Sequence, residues 1–293
     1  MDYINTENGI LLKNTKDFEP EHVFECGQCF RWNRMPDGSY RGVAGGRAFC
    51  VKKVNGDILF QGINEQDFNG YWAGYFDLGR DYGTIKKALS KDPVMERAVD
   101  YGSGIRILKQ DPWETLVSFI ISANNRIPRI MLTIEKLCQS FGERKEQNGE
   151  AYFDFPPPRR LAALDEQDIR ACGCGFRAKY ILQAARIVSE GRVDPHSLEN
   201  MDTEYARSVL LCFPGIGPKV ADCIMLFSMA KLDAFPVDVW VKRVMEHYYL
   251  KRETPLAQIR RFAVQKFGPL AGVAQQYLFY YARGTMGRIT GRG

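Results

Sequence analysis

A lysine placed in the first turn of a helix, just behind a two-glycine hairpin, suits either phosphate binding or nucleophilic attack. The stretch Leu211-Cys212-Phe213-Pro214-Gly215-Ile216-Gly217-Pro218-Lys219-Val220-Ala221-Asp222 has that arrangement. It predicts a helix ending near Cys212, a tight turn, and a second helix opening at Pro218, a residue suited to a first helical turn. Gly215 and Gly217 let bare backbone N–H groups face outward at a helix N-terminus, which is a ready phosphate site. Lys219 stands against the positive end of that helix dipole, which disfavours its charged form. A neutral amine in a partly dry pocket is what covalent Schiff-base chemistry needs. Nineteen residues later comes Asp238, within Phe235-Pro236-Val237-Asp238-Val239-Trp240, where it is expected to cap a helix with Val241, Val244, Met245 and Tyr248 on its apolar face. The plainer readings are an ordinary helix–turn–helix link and a simple N-cap.

The elements that must position these residues fall into two groups. Alternation over 22–32, 39–54 and 57–63, with turns at Asp37-Gly38, Gly45-Gly46 and Asn55-Gly56, reads as an antiparallel sheet. Helical spacing begins near Asn64, and Asp92-Pro93 opens one helix in good cap style. From about Asp111 onward almost every segment reads as helical, with a polar surface linker at 142–150. The expected plan is α+β: an N-terminal antiparallel β-sheet domain over 1–100, then an all-α domain over 101–293.

Composition excludes several classes. The 293 residues are 45% apolar and 26% charged, with 40 Lys/Arg against 35 Asp/Glu, a net charge of +5. The charge is unevenly spread: from Val239 onward ten Lys/Arg face only Glu246 and Glu253, giving that segment +8. A polyanion would feel this segment rather than the average. No run approaches the ~18–20 apolar residues of a membrane span. The N-terminus has neither a basic nor an apolar signal-peptide region, so a reduced cytoplasm is the expected location. None of the three histidines sits in a zinc-hydrolase or zinc-deaminase pattern. Cys26 and Cys29 with Cys172 and Cys174 make a poor zinc set, because they fall in different expected domains and Cys-x-Cys is unusual zinc spacing.

The segment 214–238 resembles the helix–hairpin–helix plus Gly/Pro…Asp signature of the DNA glycosylase superfamily. Cys223 is the last cysteine, so the iron–sulfur cluster that follows the aspartate in some branches cannot be built there. Further blocks are similar to the eukaryotic-type 8-oxoguanine DNA glycosylases: Cys26-Gly27-Gln28-Cys29-Phe30-Arg31-Trp32, Tyr75-Phe76-Asp77-Leu78 and Gln110-Asp111-Pro112-Trp113-Glu114. The residues 118–125, 173–180 and Ala274-Gln275-Gln276-Tyr277-Leu278-Phe279 continue the series. Trp240 and Ala282 stand where those enzymes usually carry a His and an Asp, which marks a variant of the pattern with a prokaryotic cast.

The resemblance implies a TBP-like N-terminal sheet and a bifunctional glycosylase/AP lyase that flips 8-oxoguanine out of duplex DNA. Lys219 would attack C1′, and Asp238 would stabilise the positive sugar. Gly27 would offer its carbonyl to the lesion's N7–H, a donor that guanine lacks. Phe279 and Cys223 would sandwich the purine, and Gln275 would read its Watson–Crick edge. Asn124 would fill the vacated stack and Phe176 would wedge beside the opposite base. Arg129 and Arg177 would bond the estranged cytosine. No metal or organic cofactor is implied, apart from a structural alkali cation at the hairpin carbonyls, and the protein is expected to be monomeric and nucleoid-associated. Two alternatives stay open on sequence: a glycosylase of the same superfamily for another damaged base, and a non-catalytic helix–hairpin–helix DNA-binding protein.

Overall fold

The computed structural model describes residues 2–147 and 149–289. Its N-terminal sheet has six strands: β1 (Tyr3–Thr6), β2 (Gly9–Leu12), β3 (Trp32–Arg34), β4 (Tyr40–Ala44), β5 (Arg47–Val54) and β6 (Asp57–Gln61). Their spatial order is β1-β2-β6-β5-β4-β3, antiparallel throughout. Asn55 and Gly56 both have positive φ between the paired Val54 and Asp57, as a two-residue primed turn requires. Gly45 and Gly46 do the same between Ala44 and Arg47. Asp37-Gly38 differs from the expected two-residue turn. Only Gly38 has positive φ, and a longer loop closes through Gly38 N to Met35 O (3.0 Å) and Met35 N to Ser39 O (2.8 Å).

Two expected elements are corrected. The alternation over 22–32 is not a strand at its start: Pro20–Glu25 is a short helix with Pro at its first position, and pairing begins only at Trp32. The stretch 142–150 is not a bare linker, because Arg144–Gln147 (β7) pairs with Glu150–Phe153 (β8). That hairpin docks on the main sheet through Tyr152 Oη to Gly46 O (3.0 Å). The second domain is therefore helical with one small hairpin.

Alternate residues of β4, β5 and β6 point inward, and they meet a dense aromatic layer. Phe24 stacks on Trp32 at 4.2 Å, and the Trp32 indole N–H donates to Tyr75 Oη at 2.9 Å. The larger core surrounds two helices, Pro112–Ser122 and Pro218–Ser228, each buried along most of its length. Ile85, Leu89, Met95, Cys26 and Phe30 also belong to this helical core, so residues of the first hundred contribute to both. The C-terminal helix Ala271–Ile289 closes that core and returns to the turn at Cys26. Among the described residues no helix is long and apolar enough to cross a membrane.

One buried ion pair joins sheet, central helix and hairpin. The Arg31 guanidinium lies 3.5 Å from the Glu114 carboxylate and donates to Phe153 O at 2.5 Å. Burial pushes the Glu114 carboxyl up to about 7 from its ordinary value of 4.5. An acid with a raised folded pKa stabilises the fold while protonated. That contribution is complete below 4.5 and is lost as pH rises through about 7. Denaturant midpoints of wild type and Glu114→Gln should therefore diverge across this window, with wild type losing ground as pH rises. A stability difference that does not vary with pH would remove Glu114 from this role.

Candidate active site at the hairpin

Helix Thr203–Leu210 ends at a turn closed by Phe213 N to Leu210 O and Ile216 N to Phe213 O, both 3.1 Å. Gly215 has φ +83°, and a Cβ there would lie 2.6 Å from the Tyr180 ring, so only glycine fits. Gly217 caps the next helix with extended backbone, and a Cβ there would meet nothing within 4 Å. Packing does not demand this glycine. It leaves the outer face of the first turn bare, where N–H groups lack intrahelical acceptors.

Lys219 is the second residue of that helix, half-buried, with Nζ 5.4 Å from the centre of the Phe119 ring. Phe119 is fixed by stacking on Phe227 at 5.6 Å. One turn beyond Lys219, the buried Asp222 bonds Arg207 and lies 3.4 Å from Arg260 Nε. The hairpin helix is thus tied to the helices on either side of it. Asp238 Oδ1 accepts from Val241 N at 2.8 Å, capping Val239–Val244 as expected. Burial raises the Asp238 carboxyl, while the Val241 N–H and the Lys219 charge pull it back. Burial likewise raises the Cys223 thiol, against the opposing charge of Lys219.

A cavity of about 770 Å³ opens where the sheet domain meets the hairpin. Gly27, Lys219, Asp238 and Phe279 all line it. Gly27 has φ +82°, and a Cβ there would come within 3.1 Å of the Phe279 ring. Cys223 and Gln275 are not on the wall: both are buried, and Gln275 Oε1 has no hydrogen-bond partner. An orphaned acceptor in that position carries a desolvation cost that a donating ligand edge would remove.

The other expected contacts cluster along one rim. Asn124 is exposed with φ +50°, Arg129 is exposed, and Phe176 is 53% exposed. Arg177, expected to bond the estranged cytosine, has its donors engaged within the protein. It is buried, stacked on Phe176 at 4.5 Å, and donates to Ala123 O (2.9 and 2.5 Å) and Asn124 O (3.1 Å). In this state it holds the Asn124 turn. Burial and the neighbouring Arg129 charge lower its pKa.

The cavity wall includes groups not singled out for it from sequence. Asn125, Arg126, Met131, Trp240 and Arg283 all line it. Arg283 follows Phe279 by one helical turn, a spacing that could have flagged it. The basic C-terminal segment is also less free than its charge suggests. Lys242 pairs with Glu246 (3.2 Å), Arg260 with Glu204 (2.8 Å) and Lys266 with Asp92 (2.8 Å). Among the described residues, Arg243, Lys251, Arg252 and Arg261 are exposed without a carboxylate partner. The Arg288 side chain and Arg292 lie outside the described residues.

The chain matches two family models. One, described as 8-oxoguanine DNA glycosylase, N-terminal domain, covers residues 10–116. The other, described as HhH-GPD superfamily base excision DNA repair protein, covers residues 117–269. A probable N-glycosylase/DNA lyase of Methanothermobacter thermautotrophicus is 36% identical over 228 residues, 71% of this chain and 72% of that protein. An N-glycosylase/DNA lyase of Arabidopsis thaliana is 29% identical over 280 residues, 88% of this chain and 75% of that protein. The 8-oxoguanine glycosylase/lyase of Clostridium acetobutylicum, solved with double-stranded DNA containing cytosine opposite 8-oxoguanine, is 44% identical. It superimposes with a TM-score of 0.95 over 98% of this chain and 99% of that one.

Proposed function

Since the chain belongs to the HhH-GPD superfamily of base excision DNA repair proteins, with an 8-oxoguanine glycosylase N-terminal domain, we propose that it excises 8-oxoguanine opposite cytosine and then nicks the strand. The observation that carries this reading is the shared cavity of Gly27, Lys219, Asp238 and Phe279. An amine, a carboxylate, a bare backbone turn and an aromatic face are the four parts that excision of a flipped base needs.

The hairpin and the exposed basic residues hold backbone phosphates, and the damaged nucleotide leaves the stack at a cost of a few kcal/mol. Lys219 Nζ forms a bond to C1′ as the bond to the base nitrogen breaks. Asp238, already oriented by its cap bond to Val241 N, stabilises the positive charge that develops on the sugar. Opening of the sugar ring at O4′ leaves a Schiff base. Loss of a C2′ proton then expels the 3′ phosphate, which nicks the strand.

Base reading is divided among several groups. The Gly27 carbonyl accepts from N7–H of the lesion and repels the bare N7 of guanine. Gln275 and Cys223, buried behind the wall in the free protein, are uncovered as the base enters, so that the orphaned Gln275 oxygen meets the donors on the purine edge and Cys223 and Phe279 take the two faces. Phe176 wedges from the rim while Asn124 fills the gap. Arg177 exchanges the Ala123 and Asn124 carbonyls for the acceptors of cytosine, beside Arg129. The chemistry uses no metal or organic cofactor. A structural alkali cation suits the hairpin, whose Phe213 carbonyl accepts only from Ile216 N among the described bonds and keeps a second lone pair. The protein acts as a cytoplasmic, nucleoid-associated monomer.

The test is excision and strand nicking on duplexes carrying 8-oxoguanine opposite each of the four bases. A preference for cytosine supports the roles of Arg129 and Arg177, and equal rates against all four would sink them. Excision of alkylated purines with no action on 8-oxoguanine favours the other glycosylase reading. Gly27→Ala places a Cβ against Phe279 at a positive φ. Its excision of 8-oxoguanine should fall by roughly 10²-fold, the scale set by a misplaced reading group, in single-turnover assays. A rate within about twofold of wild type would show that the carbonyl is not the reader.

A further inference from the structure

We infer that Gln276 and Arg283 of the C-terminal helix are positioning residues that aim the Gly27 carbonyl and so set the preference for the oxidised purine. This rests on the lesion reading above.

Gly27 is the most weakly constrained residue of its turn by itself, since it lacks a side chain and has φ +82°. Its downstream neighbour is fixed. The Gln28 side chain donates to Val23 O (2.9 Å) and Arg106 O (2.8 Å) and accepts from Leu108 N (2.9 Å). Its backbone carbonyl accepts from Gln110 Nε2 at 2.8 Å. The upstream side is fixed by a different part of the chain. Gln276 Nε2 donates to Cys26 O at 2.6 Å, and Arg283 Nη2 donates to Glu25 O.

A carbonyl and the following N–H share one rigid plane, so holding Cys26 O sets the plane of the peptide that enters Gly27. The Gly27 carbonyl belongs to the next peptide, which lies between the two held at Cys26 O and Gln28 O, so its direction is set by the torsions of Gly27 and Gln28 between those fixed ends. Gln276 and Arg283 are two helical turns apart and flank Phe279 on one face. Arg283 lies 5.5 Å from the centre of the Phe279 ring, and its Nη1 is 3.7 Å from where a Gly27 Cβ would stand. Gln276 is only 1% exposed, so no bulk water competes for Cys26 O. One helix thus sets both the ring that stacks on the base and the turn that reads it. Hydrogen bonds weaken steeply as their angle opens, so a tilted Gly27 carbonyl would lose the lesion's N7–H.

Gln276→Met keeps the side-chain length and removes the donor. Single-turnover excision of 8-oxoguanine opposite cytosine should fall by about tenfold or more, as should the ratio of affinities for lesion and undamaged duplex. Nicking of a preformed abasic duplex, which presents no base to read, should stay within about twofold of wild type. Arg283→Met should lower lesion excision in the same direction. Unchanged lesion excision in Gln276→Met overturns the inference. So does a parallel loss of abasic-site nicking, which would make Gln276 a support of the fold alone. If wild type nicks abasic DNA but leaves 8-oxoguanine in place, the lesion reading itself has failed, and this inference falls with it.

Discussion

Lys219→Gln, mixed with a lesion-bearing duplex and borohydride, should give no trapped protein–DNA complex, whereas wild type is captured in good yield. Strand nicking in the variant should fall by at least ~10³-fold, about 4 kcal/mol of barrier. Glutamine is polar and of similar reach, but its amide nitrogen cannot add to C1′. The surroundings of Lys219 do not depend on the amine, because Phe119 is held by Phe227 and the helix by the Asp222–Arg207 bond. The melting temperature and the affinity for duplex DNA should therefore stay near wild type. Persistent trapping would point to another nucleophile, and lost DNA affinity would make Lys219 a phosphate ligand instead.

Asp238→Asn should slow excision by ~10²–10³-fold, the cost of deleting one preorganised charge at a developing cation. The substitution is informative because asparagine caps helices about as well as aspartate. The bond to Val241 N survives, and what disappears is the negative charge facing the cavity. DNA affinity should change by less than about twofold, since no backbone phosphate contact is lost. The pH profile supplies a second readout. Burial raises the Asp238 carboxyl, and the reaction needs it ionised. Wild-type excision should therefore decline as pH falls through a value above the ordinary one for an aspartate. That limb should be missing from the Asn variant. A weak effect on excision, or an unchanged acid limb, would leave Asp238 as a cap and nothing more.

How much of this was legible in the sequence follows from how local each cause is. The hairpin obeys short-range rules, with a positive-φ glycine at 215 and Pro218 at the start of a helix, so its place and its backbone form could be read. Asn55-Gly56 was readable for the same reason. The helix Pro20–Glu25 was not: six residues give too little periodicity to separate helix from strand. β7, with the sequence Arg-Lys-Glu-Gln, has no apolar alternation to announce it, and its pairing with β8 is the only reason it is a strand. The site was legible in its residue types but not in its states. Nothing at positions 123–177 says that the Arg177 donors bind the Ala123 and Asn124 carbonyls. Nothing near Gln276 points to Cys26.

That last contact joins residues 250 positions apart, and it has a bearing on how the enzyme is made. A ribosome builds the Gly27 turn early and the helix that holds it at the end. Until that helix emerges, the nascent chain can finish neither the helical core around the hairpin nor the base-reading pocket. A product truncated before the last helix should therefore lack both a closed helical core and a held base-reading turn, and should neither fold stably nor excise the lesion. Folding should also be slow for a largely helical protein, since a long loop must close before this contact forms.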